Sequence, residues 1–237
     1  MIGMPKTTSF SIVTSTYNQL EKLKRLREYL DQQSYFNFEW IIADDGSNDG
    51  TRKWAKKNAD KYVWQEDRGY RLTKILNKAG DMVEGDNIVW IMADSFPDRS
   101  FLKVVNNHIK DDILATGIRL NISDGAVISD DWRLRQLPDV KKSEVLFLNF
   151  SEPWKLMTLN SMIMPKPMWE NMGGIDEEYD EGYGRMDWWM AMWAYYNNYQ
   201  LAWFPQAILF HDFHESRSDT RNNIALFEKH REEFENA

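Results

Sequence analysis

The apolar stretch "VWIM" stops abruptly at Asp94 in "VWIMADSFPD", residues 89–98. A carboxylate at a strand tip beside phosphates is a common way to hold Mg²⁺ or Mn²⁺, with substrate oxygens and water filling the sphere. An aspartate that opens a turn before "SFPD" would look the same. A second carboxylate, Asp187 in "GYGRMDWW", heads an aromatic segment. It can take a proton from a hydroxyl, or simply favour a helix start through the dipole. In "FHDFHE", the neutral imidazole of His211 or His214 could complete a metal sphere or serve as a structural hydrogen-bonder. Trp188, Trp189 and Trp193, beside Asp187, offer either a stacking wall or the buried face of a helix.

Two further groups could hold a nucleotide. Tyr17 with Asp44 and Asp45 forms a plausible base clamp, the ring stacking on a flat base while a carboxylate accepts its N–H. The same residues would also make a turn tyrosine and a helix-capping pair. Arg68, Arg71 and Lys74 in "EDRGYRLTK" surround Gly69. Cations at a strand-to-helix junction neutralise a pyrophosphate, aided by free backbone N–H groups at the helix start. A solvated basic patch is the alternative.

The elements that must position these residues follow from periodicity. "SFSIVTSTYN" predicts a strand over 9–16, and Leu20, Leu23, Leu26, Arg27 and Leu30 repeat at helical spacing. "FEWIIADDGSNDGT" predicts a second strand closing at Asp44 and Asp45, with Gly46, Ser47 and Asn48 in the turn. Asp49 or Ser47 would cap the helix "GTRKWAKKNA". "YVWQ" predicts a third strand, "RLTKILNKAGDMV" a third helix and "NIVWIMA" a fourth strand. This alternation is the parallel α/β signature, in which ligands bind beyond the carboxyl ends of the strands. From about residue 110 short strands and turns are expected, with an exposed connection at "QLPDVKKSEVLF". A helix opened by prolines, a Gly-Gly turn, an acidic loop and a long aromatic helix come next, and "LAWFPQAILFHDFHE" predicts two short strands.

Composition bounds the rest. The 237 residues, 43% hydrophobic and 28% charged, suffice for one large domain with a real core; 11 Trp and 12 Met are unusual. With no cysteine, disulfides and thiolate metal sites are excluded, which fits a cytoplasmic location. The formal charge is -8 and the basic residues are spread among acids, so nucleic acid stays open as a partner but is not favoured. The N-terminus does not read as a signal peptide, and no apolar run approaches the ~20 residues of a spanning helix.

The order of these motifs resembles that of a family 2 glycosyltransferase. The matching stretches are "SIVTSTYN", "IIADDGSNDGT", "EDRGYRLTKILNKA", "GDNIVWIMADSFPDRSFL", "GGIDEEYDEGYGRMDWW" and "ILFHDFH", touching most of residues 10–214. The resemblance implies an α/β glycosyltransferase A fold: a single Rossmann-like, mostly parallel central sheet flanked by helices, with a smaller acceptor-side subdomain. It implies one domain over 1–237, with a nucleotide-binding half (1–110), an acceptor-side half (111–214) and a C-terminal helix (215–237). It implies an inverting transfer from a nucleoside-diphosphate sugar, taken as UDP-linked, to a hydroxyl of a glycan, lipid-linked glycan or other soluble acceptor, assisted by Mn²⁺ or Mg²⁺. By position, Tyr17 and Asp45, with Asp44 beside them, match the base-holding residues, and Arg71 the basic residue near the donor phosphates. Asp94 matches the last carboxylate of the D-x-D motif, His211 the late histidine of the metal site, and Asp187 the general base of the E-D motif. Met92 and Met186 stand where the first acid of each motif would be; Met186, with Trp188 and Trp189, falls on the acceptor side. A noncatalytic nucleotide-sugar or glycan-binding relative is the rival reading, as is a transferase acting on a modified nucleic-acid base.

Overall fold

A computed structural model describes residues 8–136, 145–214 and 221–236. The first half follows the predicted alternation: β1 (Phe10–Thr16), α1 (Leu20–Asp31), β2 (Phe38–Asp44), α2 (Thr51–Asn58), β3 (Lys61–Trp64), α3 (Leu72–Gly80) and β4 (Asn87–Trp90). Then come β5 (Ser95–Pro97), α4 (Phe101–His108), β6 (Ile113–Ser123), β7 (Ala126–Ser129), β8 (Leu146–Phe147), β9 (Met162–Pro165) and α5 (Lys166–Met172). The chain ends with α6 (Met186–Tyr196), β10 (Gln200–Asp212) and α7 (Arg221–Glu235).

These strands form one sheet in the order β3-β2-β1-β4-β9-β6-β10-β5, with β7 on β6 and β8 on β10. The β3-β2-β1-β4 half is parallel, whereas β9 inserts antiparallel between β4 and β6, so the sheet is mixed beyond that point. Both faces are covered. Along β1 and β2, Phe10, Ile12, Trp40 and Ile42 point to a core with α1, α2 and α4; Val13, Ile41 and Ala43 point to one with α3, α5, α6 and α7. That period-2 split is why these strands read as nearly continuous apolar runs. Among the described residues no helix is long and apolar enough to cross a membrane. The aromatic segment over 186–196 is α6, and its Met186, Trp189, Met190, Ala191, Met192 and Ala194 are buried.

The second half departs from the expected short strands. β6 runs 11 residues and β10 runs 13, paired in parallel. The predicted pair of strands in "LAWFPQAILFHDFHE" is one strand with an irregularity between Phe204 and Ile208. Pro205 cannot donate to a ladder, and a bulge is where a strand accommodates it. The bulge presses on Gly117, where a Cβ would sit 2.3 Å from the Ala207 carbonyl oxygen. Gly117→Ala is therefore expected to destabilise the fold by roughly 1–3 kcal/mol, read by denaturant unfolding.

Beside the bulge lies a buried ion pair. Asp131 and Arg133 are both 2% exposed and meet at 2.5 Å. Arg133 spends all five N–H bonds inside the fold, on Asp131, Thr116 Oγ1, Leu156 O and Gly117 O. Arg133→Met would strand the Asp131 charge in the core. A loss of about 3–5 kcal/mol is expected, visible as a Tm drop on the order of 10 °C.

Candidate functional site

The tips of β1 and β2 carry the proposed base clamp. Tyr17 is half exposed, and its hydroxyl donates to Asp67 Oδ2 at 2.8 Å. Asp45 holds the loop over 65–71 against the strand tip, accepting from Gln65 Nε2 at 2.6 Å and from the Arg71 backbone N–H at 3.0 Å. Gly46 has φ +96°, and a Cβ there would lie 2.5 Å from the Asp67 nitrogen, so the "DDGS" turn requires glycine. Asp49 caps two helices, accepting from Thr51 N and from Leu20 N.

Three donor-side residues have partners within the fold. Asp44 is fully buried, and its oxygens accept from Ser47 N at 2.8 Å and Tyr62 Oη at 2.6 Å. It braces the turn and has no surface to offer a ligand. Arg68 turns outward, 71% exposed, and pairs with Glu66. Lys74 pairs with Glu177 at 3.3 Å. The backbone N–H groups at the start of α3 are not free either: Thr73 N and Lys74 N donate to Asp180 at 2.7 and 3.0 Å. Arg71 donates to the Glu66 carbonyl, with Nε buried and unbonded.

Asp94 lies just beyond β4, 8% exposed. The β5–β10 pairing sets His211 opposite Ser95, and Asp212 N donates to Asp94 O at 2.9 Å. This brings His211 Nε2 to 3.8 Å and His214 Nε2 to 3.2 Å from Asp94 Oδ2. One ligand atom from each of the three residues falls within 4.8 Å of the others. Both histidines therefore share the site. Burial lowers the His211 pKa to about 4, keeping its imidazole neutral, as a ligand must be. With Nδ1–H donated to Asn121 Oδ1 at 3.0 Å, its Nε2 lone pair is left for an ion. Burial pushes the Asp94 carboxyl up, but the hydrogen bond from His214 and the nearby His211 and Lys22 outweigh it, so Asp94 stays ionised. A carboxylate with two imidazoles fits a borderline divalent ion such as Mn²⁺ better than Mg²⁺, which prefers oxygen. Met92 is held elsewhere: its sulfur accepts from Ser15 Oγ at 2.9 Å and its N–H donates to Asn160 Oδ1 at 3.2 Å.

Beside this cluster is a cavity of about 380 Å³ whose wall includes Asp187, Trp188, Tyr183, Arg119, Arg185 and Trp132. Burial raises the Asp187 carboxyl above the usual aspartate range. A desolvated carboxylate of raised pKa is a competent proton acceptor. Arg119 and Tyr183 feel the charges of both Asp94 and Asp187, so the two carboxylates serve one region. Trp188 reaches the cavity, but Met186 and Trp189 do not: they are 3% and 9% exposed and pack in the core. Helical geometry explains the split, since positions 186, 189 and 190 share one face. Arg119, Arg185, Tyr183 and Trp132 were not anticipated from the sequence. The available signal was an arginine interrupting the apolar run of β6.

The sequence profile described as "Glycosyl transferase family 2" matches residues 11–165. A validoxylamine A glucosyltransferase of Streptomyces hygroscopicus subsp. jinggangensis is 39% identical over 84 residues, 31% of this chain and 20% of that protein. The chondroitin synthase of Pasteurella multocida is 26% identical over 213 residues, 74% of this chain and 22% of that protein. The chain thus spans about a fifth of the length of these curated relatives. Among solved structures, residues 1–349 of S. aureus TarS in complex with UDP-GlcNAc give a TM-score of 0.70 at 18% identity, covering 89% of this chain and 60% of that one. The mannosyltransferase PcManGT from Pyrobaculum calidifontis, in complex with GDP-Man and Mn²⁺, gives 0.65 at 18% identity, covering 92% and 61%. These likenesses confirm the glycosyltransferase A fold, and the profile match over residues 11–165 establishes that the chain belongs to glycosyl transferase family 2.

Proposed function

We propose that the protein transfers a sugar, with inversion, from a nucleoside-diphosphate sugar to the hydroxyl of an acceptor. The observation that carries the reading is the pairing of two differently tuned carboxylates on one region: Asp94, kept ionised beside two imidazoles, and Asp187, raised by burial in the cavity wall. The base would lie against Tyr17 and Asp45, and the diphosphate near Arg71 and Asp94. On this reading, residues 1–110 supply donor contacts and 111–214 the acceptor side.

Asp187 removes the proton from the acceptor hydroxyl as its oxygen attacks the anomeric carbon. The new C–O bond forms as the bond to the diphosphate breaks, and the leaving oxygen departs with the electron pair. Asp94, His211 and His214 would hold a divalent ion, which would supply neutralisation of that developing charge. The ligands named for the two structural neighbours, UDP-GlcNAc, and GDP-Man with Mn²⁺, support this donor class; a UDP-linked sugar is the first donor to try.

The test is a panel of UDP- and GDP-sugars with and without Mn²⁺. Thermal shift reads binding, because a ligand that binds only the folded state raises Tm. Released nucleoside diphosphate reads turnover. Metal-dependent release from one donor is expected. Binding of a donor with no release across an acceptor panel would favour the noncatalytic reading, which the methionines at 92 and 186 motivate.

A further inference from the structure

We propose that the cavity beside Asp187 receives an acceptor unit bearing an anionic group, a carboxylate or a phosphate, and that Arg119 and Arg185 read it. The proposal rests on the transferase reading above and adds the acceptor's chemistry to it.

Three arginines line this cavity and only one is spent. Arg133 directs every N–H into the fold, and Asp131 is consumed in return by Arg133 and by the Arg119 backbone N–H at 2.9 Å. Asp131, which with Asp94 and Asp187 favours the Arg119 charge, thus has its oxygens occupied by other donors. Among the described residues, the Arg119 guanidinium has neither a hydrogen bond nor an ion pair, although it is half-buried on β6. Burial and the neighbouring Arg133 disfavour its charge and outweigh Asp131, Asp94 and Asp187, which favour it. A partly desolvated cation with no ion pair of its own is completed by an anion from outside.

Arg185 supplies the second cation. Its φ is +69°, a left-handed conformation that a non-glycine residue adopts at a cost. Its guanidinium carbon sits 3.9 Å from the centre of the Trp188 ring, so the fork is fixed in place by stacking. It too has no ion pair among the described residues. Against these two cations the wall offers one acid, Asp187, whose carboxyl is already pushed up. In a chain of net charge -8 this is a local inversion of sign. Trp132, half exposed, and Trp188 add flat apolar surface of the kind a sugar ring packs on.

The neutral and anionic versions of one small acceptor separate the possibilities. Methyl β-glucoside, methyl β-glucuronide and glycerol 3-phosphate would each be titrated calorimetrically into the protein with Mn²⁺ and UDP at low salt. At least one anionic probe is expected to bind ten-fold or more tightly than the glucoside, and which one does so distinguishes a uronate from a phosphate. Arg119→Gln and Arg185→Asn should each remove most of that preference while UDP affinity and Tm hold, and Arg119→Lys should restore part of it. Equal binding of glucoside and anions overturns the proposal. So does an Arg119→Gln protein that loses UDP affinity instead, because the arginine would then serve the donor diphosphate. Release of nucleoside diphosphate from the donor panel, followed with each probe as acceptor, keeps the two readings apart. Release without anion preference sinks the acceptor proposal alone, whereas anion preference with no release from any donor across the acceptors sinks the transferase reading.

Discussion

An Asp94→Asn protein is expected to release nucleoside diphosphate on the order of 10³-fold more slowly than wild type and to lose its response to Mn²⁺. Asp94 is the one carboxylate in the cluster with His211 and His214, and both imidazoles are oriented on its Oδ2. Its charge would anchor the ion, and the ion's stabilisation of a leaving diphosphate is worth several kcal/mol, which converts to about three orders of magnitude in rate. Two readouts distinguish this from a folding defect. The thermal shift produced by Mn²⁺ with UDP should disappear, and the ligand-free Tm should stay within a few degrees. If Mn²⁺ still raised Tm and turnover were unchanged, Asp94 would be only the turn-forming aspartate that the sequence equally allowed.

Asp187→Asn is expected to lower kcat by roughly 10²–10⁴ while leaving UDP affinity intact. Its stability should move the other way. The folded-state pKa of Asp187 is raised, so folding favours the protonated form; that stabilisation is present at low pH and is lost as pH rises through the folded value. At neutral pH the ionised group is a liability, and asparagine removes it, so Tm at pH 7 should equal or exceed that of wild type. The same shift shapes the wild-type pH–rate profile. The acidic limb should fall at a pH above the ordinary aspartate range, as Asp187 takes up its proton. A kcat loss accompanied by a large Tm drop would mean that Asp187 is a structural helix-start residue.

Local signals made the first half of the fold legible. In β1 and β2 the two-faced burial gives continuous apolar runs, and the "DDGSNDGT" turn carries its own glycine requirement at Gly46. The predicted fourth strand over 87–93 ends as β4 at Trp90, although Ile91 N and Ala93 N still donate to the β1 carbonyls of Val13 and Ser15. β6 and β10 were legible only in pieces, because Gly117 and Pro205 interrupt their patterns and the pairing that joins the pieces is tertiary.

The site divides in the same way. Asp94 and Asp187 announce themselves at element ends. The sharing of His211 and His214 depends on where β5 sets β10. That Thr73 N and Lys74 N are already bonded depends on Asp180, more than a hundred residues away in the chain, and no local pattern encodes it. For Trp188 and Trp189 the sequence left two roles open, and only the seating of α6 assigns the first to the cavity and the second to the core.

The bulge in β10 also constrains how this gene can change length. Upstream of it Phe204 is opposite Gly117, and downstream Ile208 is opposite Ile118, so the extra residues are absorbed in one place. His211 lies three positions beyond that point, and strand side chains alternate faces with a period of two. Four positions separate Phe204 from Ile208 while their partners are adjacent, so the bulge itself breaks the period-2 count and sets the face on which His211 emerges. A deletion between 205 and 207 that the bulge takes up leaves His211 beside Asp94, whereas one that slips the downstream pairing by a single residue turns His211 to the opposite face. A deletion library selected for Mn²⁺ binding would separate the two outcomes.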